Sequence, residues 1–322
     1  MNSIAVPRYA GEAAGAICKL LRPDAPPLVI NVEYNQLDAL LKASGAPGDE
    51  ADSSGYSPYP GNTNTFVLDL PAYAAALEAS GGAMPEFVNP KYADASRRTF
   101  KKPTRLECMM QDIPKLLAPD ARVGFTQLER WFSFSPIKNS IDAAIDAHRR
   151  GVYPASPGAA EAMVYAANVR LLQLAGVRVE TSDEPQSFLG LPLVLAPAVS
   201  LSPAFALTVG ELKRKLPGAE AISVSRRSAL LLDGDVTIQS LTLDGALFVR
   251  LADGVRLLVH DCTIRNTGCG MKALDGGADA EAVPPAIAIR GYCLETQEAA
   301  NITISIPGAY ELVGEGELRK LA

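Results

Sequence analysis

The sequence contains few of the residues that commonly bind metals or act as nucleophiles. Its 322 residues include 2 histidines and 5 cysteines, and no two cysteines form a C-x-x-C pair. An odd number of scattered cysteines fits neither a disulfide framework nor a structural zinc site. His148 lies in a charged helical pattern and His260 in a strand-like run, where surface and packing roles are commonest. Any mechanism must therefore work without histidine.

Positive charge and long apolar runs are also scarce. The 30 lysines and arginines are outnumbered by 36 aspartates and glutamates, so the net charge of −6 provides no basic surface for nucleic acid or anionic lipid. No uninterrupted apolar run approaches the roughly 18 residues of a membrane span. Residues 1–20 lack the apolar segment of a secretory signal. We therefore expect a cytoplasmic protein with no nucleic-acid or membrane partner.

Two classes of catalytic motif are missing as well. A phosphate-binding loop needs clustered glycines between a strand and a helix, so that backbone N–H groups can approach the anion. The nearest candidates, residues 268–270 and 314–316, lie late in the chain and do not join a strand to a helix. No G-x-S-x-G segment is present, and no cysteine has an obvious histidine partner. Nucleophilic triad chemistry therefore has no support.

What the sequence does have is the pattern of a folded α/β protein. Hydrophobic residues make up 48% of the chain, which is enough for a substantial core. Residues 28–33 (LVINVE) predict a buried strand followed by a helix at 36–42. Residues 65–70 repeat the strand pattern before an alanine-rich helix. Further helices are predicted at 105–117, where Pro114 kinks or ends the helix early, and at 159–175.

The later part of the chain has a different composition. Proline and leucine without periodicity at 185–203 indicate a connector. From residue 222 onward short period-two strands dominate, and Asp-Gly pairs recur at 233–234, 244–245, 253–254 and 275–276. Such pairs favour turns with positive φ, either in hairpins or at the corners of a β-solenoid, and their irregular spacing slightly favours the solenoid. We predict a core at 1–184, a connector at 185–220 and a β-solenoid-like domain at 221–322.

Polar residues at strand ends are the first remaining candidates for chemistry. Glu33 and Tyr34 end a predicted strand, where the carboxylate either accepts hydrogen bonds from sugar hydroxyls or is simply a charge at a helix N-terminus. Asn62 and Asn64 follow a proline-rich loop. Their amides can both donate and accept, as sugar recognition requires, although an ordinary turn would contain the same residues.

Two cationic residues are the other candidates. Lys138 lies between a predicted strand and a predicted helix, where an ammonium could face a phosphate, although most loop lysines are solvated. Arg105 opens a predicted helix and is alternatively an exposed charged end.

Several longer strings of residues are distinctive in combination. In chain order they are NVEYNQL at 31–37, GYSPYPGN at 55–62, EFVNPKY at 86–92, RLECMMQD at 105–112 and PIKN at 136–139. Two shorter strings in the last third are LDGAL at 243–247 and IRG at 289–291. Together they resemble one known family, the UDP-sugar pyrophosphorylases of plants, algae and protists. The strings occur in family order, and the likeness covers nearly the whole chain.

The resemblance implies a fold and a reaction. The fold would be a partial Rossmann-like nucleotidyltransferase core followed by a C-terminal β-helix-like (solenoid) domain. The reaction would join UTP and a sugar 1-phosphate into a UDP-sugar and pyrophosphate, with Mg²⁺ as the cofactor. Because the anomeric phosphate oxygen attacks the α-phosphorus in line, catalysis is mainly positioning and neutralisation of charge, and no histidine is needed.

The resemblance also implies roles for individual residues. Lys138 matches the family lysine that faces the phosphates, so it is the expected catalytic residue. Glu33 and Asn62 match positions that bind sugar hydroxyls. Phe134 and Ser135 stand where relatives carry Tyr-Ala, which leaves the sugar preference open. Further candidates for lining the sugar pocket are Tyr34, Asn64 and Arg105.

One part of the family pattern is absent from this sequence. The uridine- and phosphate-binding half, with its glycine-rich loop, a second lysine and most metal-contacting positions, precedes the equivalent of Asn31 in full-length relatives. We therefore expect a C-terminal half that is inactive alone, with a separate N-terminal half as a partner. The alternative is a non-catalytic sugar-phosphate-binding or interaction module derived from the same family.

Overall fold

The computed structural model describes residues 1–88, 90, 92–94, 96, 98–274 and 283–321. It divides the chain into two compact units, Met1–Phe134 and Ser135–Ala322. This division falls at a different point from the boundary predicted at residue 184. The predicted Asp-Gly pair at 275–276 and two residues of the 86–92 string, Asn89 and Lys91, lie outside the described residues. Among the described residues, no helix is both long enough and apolar enough to cross a membrane.

The first unit is built around a five-stranded sheet with the strand order β3-β2-β4-β1-β7. Neighbouring strands are antiparallel except for β1 and β7, which are parallel. Two short strands, β5 and β6, pair separately. The elements in chain order are β1 (Asn2–Arg8), β2 (Ala16–Arg22), β3 (Ala25–Val32), α1 (Tyr34–Ala43), β4 (Ser57–Val67), α2 (Leu70–Ser80), β5 (Glu86–Val88), β6 (Leu106–Cys108), a 3₁₀ helix (Met110–Lys115), β7 (Gly124–Gln127) and α3 (Arg130–Ser133).

Local sequence signals account for most of these elements. The predicted strand at 28–33 and the helix after it are confirmed as β3 and α1, and Leu37 and Leu41 of α1 are buried against the sheet. Helix α2 begins where predicted because Asp69 accepts a hydrogen bond from the Ala72 amide, and it ends at Gly81, whose φ is +61°. Both caps are encoded locally, which explains why the sequence predicts an alanine-rich helix at this position.

The helix predicted at 105–117 is wrong. The structure has strand β6 there, followed by the 3₁₀ helix with Pro114 inside it. Proline lacks the N–H that an α-helix interior requires, and a short 3₁₀ turn tolerates the loss better. The predicted site residue Arg105 therefore precedes a strand and does not open a helix.

The second unit combines helices with two sheets that are mostly parallel. Its elements in chain order are α4 (Ile141–Arg149), α5 (Pro157–Leu174), β8 (Arg178–Val179), β9 (Gln186–Phe188), β10 (Leu191–Leu193), β11 (Ala198–Leu201), α6 (Val209–Lys215), a 3₁₀ helix (Ala219–Ala221), β12 (Ile222–Val224), β13 (Ala229–Asp233), β14 (Asp235–Ile238), β15 (Leu241–Asp244), β16 (Ala246–Leu251), β17 (Val255–Arg265), β18 (Gly268–Ala273), α7 (Pro285–Arg290), β19 (Tyr292–Glu298), β20 (Ala300–Ile304), β21 (Gly308–Gly314) and β22 (Glu317–Lys320). The range 185–220, predicted to be a connector, thus contains β9–β11 and α6.

The chain crosses repeatedly between the two sheets. One sheet has the order β11-β13-β16-β20, and all of its pairs are parallel. The other has the order β22-β21-β17-β15-β12-β8, with β14 also paired to β17, and only β21 and β22 are antiparallel. Leucine, isoleucine and valine side chains from both sheets form one buried core with α5 and α6. The expectation of a mixed α/β protein is confirmed.

The described Asp-Gly pairs turn the chain from one sheet to the other. They lie between β13 and β14, between β15 and β16, and between β16 and β17, strands that pair with other neighbours and not with each other. Gly234, Gly245 and Gly254 all have positive φ. A hairpin would pair the two strands that flank such a turn, so the hairpin alternative is excluded at these three positions.

Candidate functional site

Glu33 lies between strand β3 and helix α1, in the N-cap position of the helix. Its backbone is extended (φ −64°, ψ 140°), and its side chain makes no capping hydrogen bond. Instead its Oε1 accepts a hydrogen bond from Asn31 Nδ2 at 2.9 Å. The carboxylate therefore faces the sheet residue two positions before it and does not serve the helix.

Asn31 also connects Glu33 to Asn62. Asn62 Nδ2 donates to Asn31 Oδ1 at 3.2 Å, and the Asn62 backbone amide donates to the Gly15 carbonyl at 2.8 Å. Asn31 is on β3 and Asn62 on β4, on either side of β2. We call Glu33, Asn31 and Asn62 the polar row. It joins two of the predicted site residues through a third that the sequence analysis did not select.

Gly15 makes the polar row possible. A Cβ at this position would lie 2.5 Å from Asn31 Oδ1 and 2.9 Å from Asn31 Nδ2. Real side chains do not approach so closely, so any residue other than glycine would displace the Asn31 amide. The strand pairing of β3, β2 and β4 and the missing side chain at Gly15 together bring the polar row into contact.

Asn64 orients Asn62. Its backbone amide donates to Asn62 Oδ1 at 2.8 Å, and its own φ of +63° is in the left-handed region, which asparagine tolerates better than most residues. Tyr34, the first residue of α1, is 41% exposed directly beside Glu33. The structure thus brings four predicted site residues into one neighbourhood of the first unit.

The polar row has hydrogen-bonding capacity that the protein does not use. One Glu33 carboxylate oxygen and one Asn62 Nδ2 hydrogen remain available among the described contacts. Glu33 and Asn62 are partly exposed, so a ligand can reach them. A carboxylate oxygen that accepts and an amide that donates are a suitable pair for a ligand carrying adjacent hydroxyl groups.

A buried ion pair lies beside this row. Arg8 is fully buried, and its Nη2 lies 2.6 Å from Asp49 Oδ1. Its guanidinium also donates to the Tyr59 carbonyl, while its aliphatic carbons pack on Gly61, next to Asn62. Burial alone would raise the pKa of Asp49, but donors from the Arg8 side chain, the Gly11 amide and the Ser57 hydroxyl lower it. The sequence offered no signal for this pair, because its members are distant in the chain.

Arg105 does not join the polar row in the described contacts. Its side chain is 85% exposed and its Nε lies 3.2 Å from Glu107 Oε1. This exposed position agrees with the alternative interpretation of Arg105 as an exposed charge. A role for Arg105 in the sugar pocket stays a prediction.

Lys138 lies in the second unit, between α3 of the first unit and α4. Its backbone amide donates to the Ala155 carbonyl at 2.9 Å. Its side chain is exposed, and within the part of the chain that the structure describes its ammonium has no hydrogen-bond or ion-pair partner. The amine is thus available to a ligand. Its catalytic role stays a prediction.

No metal centre can be assigned from the described residues. Nowhere among them do three or more histidine, cysteine, aspartate or glutamate side chains form a group that could hold an ion. The magnesium ion implied by the family resemblance stays a prediction.

Replacing Gly15 by alanine tests the polar row. We expect the variant to lose about 1–2 kcal/mol of unfolding free energy, because Asn31 must move and both of its side-chain hydrogen bonds are lost. The measurement is urea unfolding followed by the fluorescence of Trp131, the single tryptophan, which lies in the first unit. Gly124→Ala is the matched control, since its Cβ would meet no atom within 4 Å. An equal loss in an Asn31→Ala background would contradict the explanation.

Comparison with known proteins gives clear relatives by sequence. No family model matches the chain. It is 41% identical over 314 residues to the UDP-sugar pyrophosphorylase of Arabidopsis thaliana, covering 97% of this chain and 50% of that protein. The chain is a homologue of the UDP-sugar pyrophosphorylases. The enzyme of that name from Oryza sativa subsp. indica is 42% identical over 294 residues, covering 91% of this chain and 47% of the rice protein. The chain thus spans about half the length of the curated UDP-sugar pyrophosphorylases it matches.

Solved structures give more distant matches. A point mutant of the UDP-glucose pyrophosphorylase of Leishmania major, in complex with UDP-glucose, is 16% identical with a TM-score of 0.31, and the match covers 95% of this chain and 50% of that one. A UDP-glucose phosphorylase from Trypanosoma brucei is also 16% identical, with a TM-score of 0.30 and coverage of 82% and 45%.

Proposed function

We propose that this chain is the C-terminal half of a uridylyltransferase that makes UDP-sugars from UTP and sugar 1-phosphates. The observation that carries the proposal is the 41% identity to a UDP-sugar pyrophosphorylase across 97% of the chain. The polar row supports it from the structure, because its unused donor and acceptor suit a ligand with neighbouring hydroxyls.

The proposed fold has two parts. The five-stranded sheet with α1 and α2 would belong to a Rossmann-like nucleotidyltransferase core. The parallel strands of the two sheets support a solenoid, because a strand pairs with one further along the chain in the same sheet, as β13 does with β16. Positive-φ glycines at the corners fit the same arrangement.

Specific residues would bind the sugar 1-phosphate. Glu33 would accept and Asn62 would donate hydrogen bonds to sugar hydroxyls, while Asn31 holds the two in register. Three further residues, Tyr34, Asn64 and Arg105, would line the rest of the pocket. Of these, Asn64 has the firmest support, since its amide fixes the Asn62 oxygen.

In the proposed reaction an oxygen of the sugar 1-phosphate bonds to the α-phosphorus of UTP. The bond from that phosphorus to the bridging oxygen breaks, and pyrophosphate leaves with the bonding electrons. The protein mainly holds the reactants in line and offsets negative charge. The Lys138 ammonium, which is exposed and has no partner among the described residues, would stabilise the charge that develops on the phosphoryl oxygens.

Magnesium would accompany the nucleotide. Since the described residues contain no group of three metal-binding side chains, its ligands would come from the substrate phosphates and from the half of the relatives that this chain does not span. That half would also supply the uridine site.

The proposal predicts that the purified chain alone does not turn over UTP and glucose 1-phosphate with Mg²⁺. Adding the N-terminal half of the Arabidopsis relative, with assembly checked by size-exclusion chromatography, should restore pyrophosphate release. Robust turnover by the chain alone would contradict the division of the site. An assembled complex that binds glucose 1-phosphate without turnover would instead favour a non-catalytic binding module.

A further inference from the structure

The backbone around Lys138 is fixed by an unusual pair of hydrogen bonds. The amides of Lys138 and Asn139, adjacent in the chain, both donate to the carbonyl of Ala155, at 2.9 and 3.2 Å. One carbonyl oxygen can accept both, because it has two lone pairs. The orientation of two successive peptide groups is therefore set by a single atom.

The side chain of Asn139 adds a third hydrogen bond. Its Nδ2 donates to the Pro154 carbonyl at 2.8 Å, one residue before the carbonyl that holds its own amide. We call the contacts of residues 138 and 139 with the carbonyls of Pro154 and Ala155 the Asn139 clamp. Asn139 is the residue that contributes both a backbone and a side-chain bond to it.

The turn that accepts these hydrogen bonds is buried at Ala155 and leads directly into helix α5. Ala155 is buried and has a φ of +48°, in the left-handed region that alanine rarely adopts. Ser156 then caps helix α5, since its Oγ accepts from the Ala159 amide at 3.1 Å. At the other end of the Lys138 segment, Ser135 Oγ donates to the Ala160 carbonyl at 2.8 Å. Residues 135–139 are thus held at one end by Ala160 of α5 and at the other by the turn that precedes this 18-residue helix.

Nothing comparable restrains the Lys138 side chain among the described contacts. Ser135 and Ile137 line an apolar cavity of about 590 Å³ beside α5 and α7, but Lys138 is not one of its lining residues. The ammonium has no partner among the described residues, so its location depends on where the clamp holds its backbone. A tightly held backbone with an unengaged charged end is suited to presenting that charge to a ligand.

We propose that Asn139 is a positioning residue that acts through Lys138. The inference rests on the proposed function, because it gives Lys138 a phosphate to face. Beyond that function, the inference states that the Asn139 side chain and the left-handed turn at Ala155 determine where the Lys138 ammonium lies. A small displacement of a catalytic group is enough to slow a reaction whose catalysis is mainly positioning.

The test is Asn139→Ala in the complex with the N-terminal half. We expect kcat to fall on the order of 10- to 100-fold, with KM for glucose 1-phosphate unchanged within about twofold. In a Lys138→Ala background the same substitution should have no further effect on kcat, because the residue it positions is gone. Hydrogen exchange in the chain alone should accelerate at the amides of residues 138 and 139.

Asn301→Ala is the matched control. Its Nδ2 also donates to a nearby carbonyl, that of Ala299 at 3.3 Å, but it lies on strand β20. It should change neither kcat nor exchange near Lys138. An equal fall in kcat for Asn139→Ala with and without Lys138 would overturn the inference, and so would unchanged exchange. If Lys138→Ala itself left kcat unchanged, the proposed role of Lys138 would fail, while faster exchange would still identify the clamp.

Discussion

We expect Lys138→Ala to lower kcat for UDP-sugar formation on the order of 10²- to 10³-fold in the complex with the N-terminal half, because the proposed role of its ammonium is to stabilise charge in the transition state. The ammonium has no partner to lose among the described residues, so we attribute the expected effect to the charge that would develop on the phosphoryl oxygens. KM should change little, since removing a transition-state interaction lowers kcat and kcat/KM together. Steady-state measurement of pyrophosphate release checks both quantities.

Lys42 provides a control that distinguishes a catalytic effect of Lys138 from the loss of one surface charge. Lys42 is also exposed and forms an i,i+4 ion pair with Asp38 at 2.9 Å on helix α1. Lys42→Ala should leave kcat within about twofold, since such surface pairs contribute little. If Lys138→Ala behaved like Lys42→Ala, the lysine would have no part in the reaction.

Arg8→Ala is expected to destabilise the first unit by about 3–5 kcal/mol. The substitution leaves the carboxylate of Asp49, whose side chain is 4% exposed, buried without its cation. It also removes the donor to the Tyr59 carbonyl and the carbons that pack on Gly61. Urea unfolding followed by Trp131 fluorescence reports the loss, because that tryptophan belongs to the first unit.

The pH dependence gives this prediction a second test. The pKa of Asp49 is lowered in the folded state, so its contribution to stability is complete above the unfolded pKa, near 3.9, and is lost as pH falls through the folded value. The difference between the wild type and Arg8→Ala should therefore shrink in acid and be largest near neutrality. The exposed ion pair of Arg105 provides the control, since Arg105→Ala should cost at most about 1 kcal/mol at any pH. A loss no larger than this for Arg8→Ala would show that the pair is not needed.

Local patterns in the sequence predicted the elements whose signals are local. Strand β3 follows from the β-branched run at 28–33, and helices α1 and α2 begin after the two predicted strand segments. The prediction at 105–117 failed because residues 106–108 pair with β5 as a strand and Pro114 disfavours an α-helix after them.

Contacts between strands that are distant in the chain could not be predicted in the same way. Glu33 and Asn62 are separate candidates in the sequence, but the residue that joins them, Asn31, acquires that position only when β2 pairs with both β3 and β4. The role of Gly15 depends on the same pairing. Arg8 and Asp49 likewise meet only in the folded sheet.

The Asp-Gly pairs predicted the backbone conformation of the turns but not the pairing of the strands that flank them. The Asp-Gly pairs correctly predicted positive φ, which Gly234, Gly245 and Gly254 adopt. Their spacing could not decide between a hairpin and a coil, because that depends on which strand lies alongside. Parallel pairing of β13 with β16 and of β15 with β17 excludes a hairpin at these turns.

In the all-parallel sheet of the second unit, neighbouring strands β16 and β20 are separated by a long segment of chain. Ala229 pairs with Ala246 in the regular way, but the following rung pairs Leu247 with Ala300, after the chain has formed β18, α7 and β19 away from the ladder. Only the two ends of this segment are constrained by the pairing of β16 with β20. Insertions or deletions inside it would therefore leave the register of the sheet unchanged. Closing so long a loop also has an entropic cost, and we therefore expect β20 to join the sheet after β11, β13 and β16 have paired.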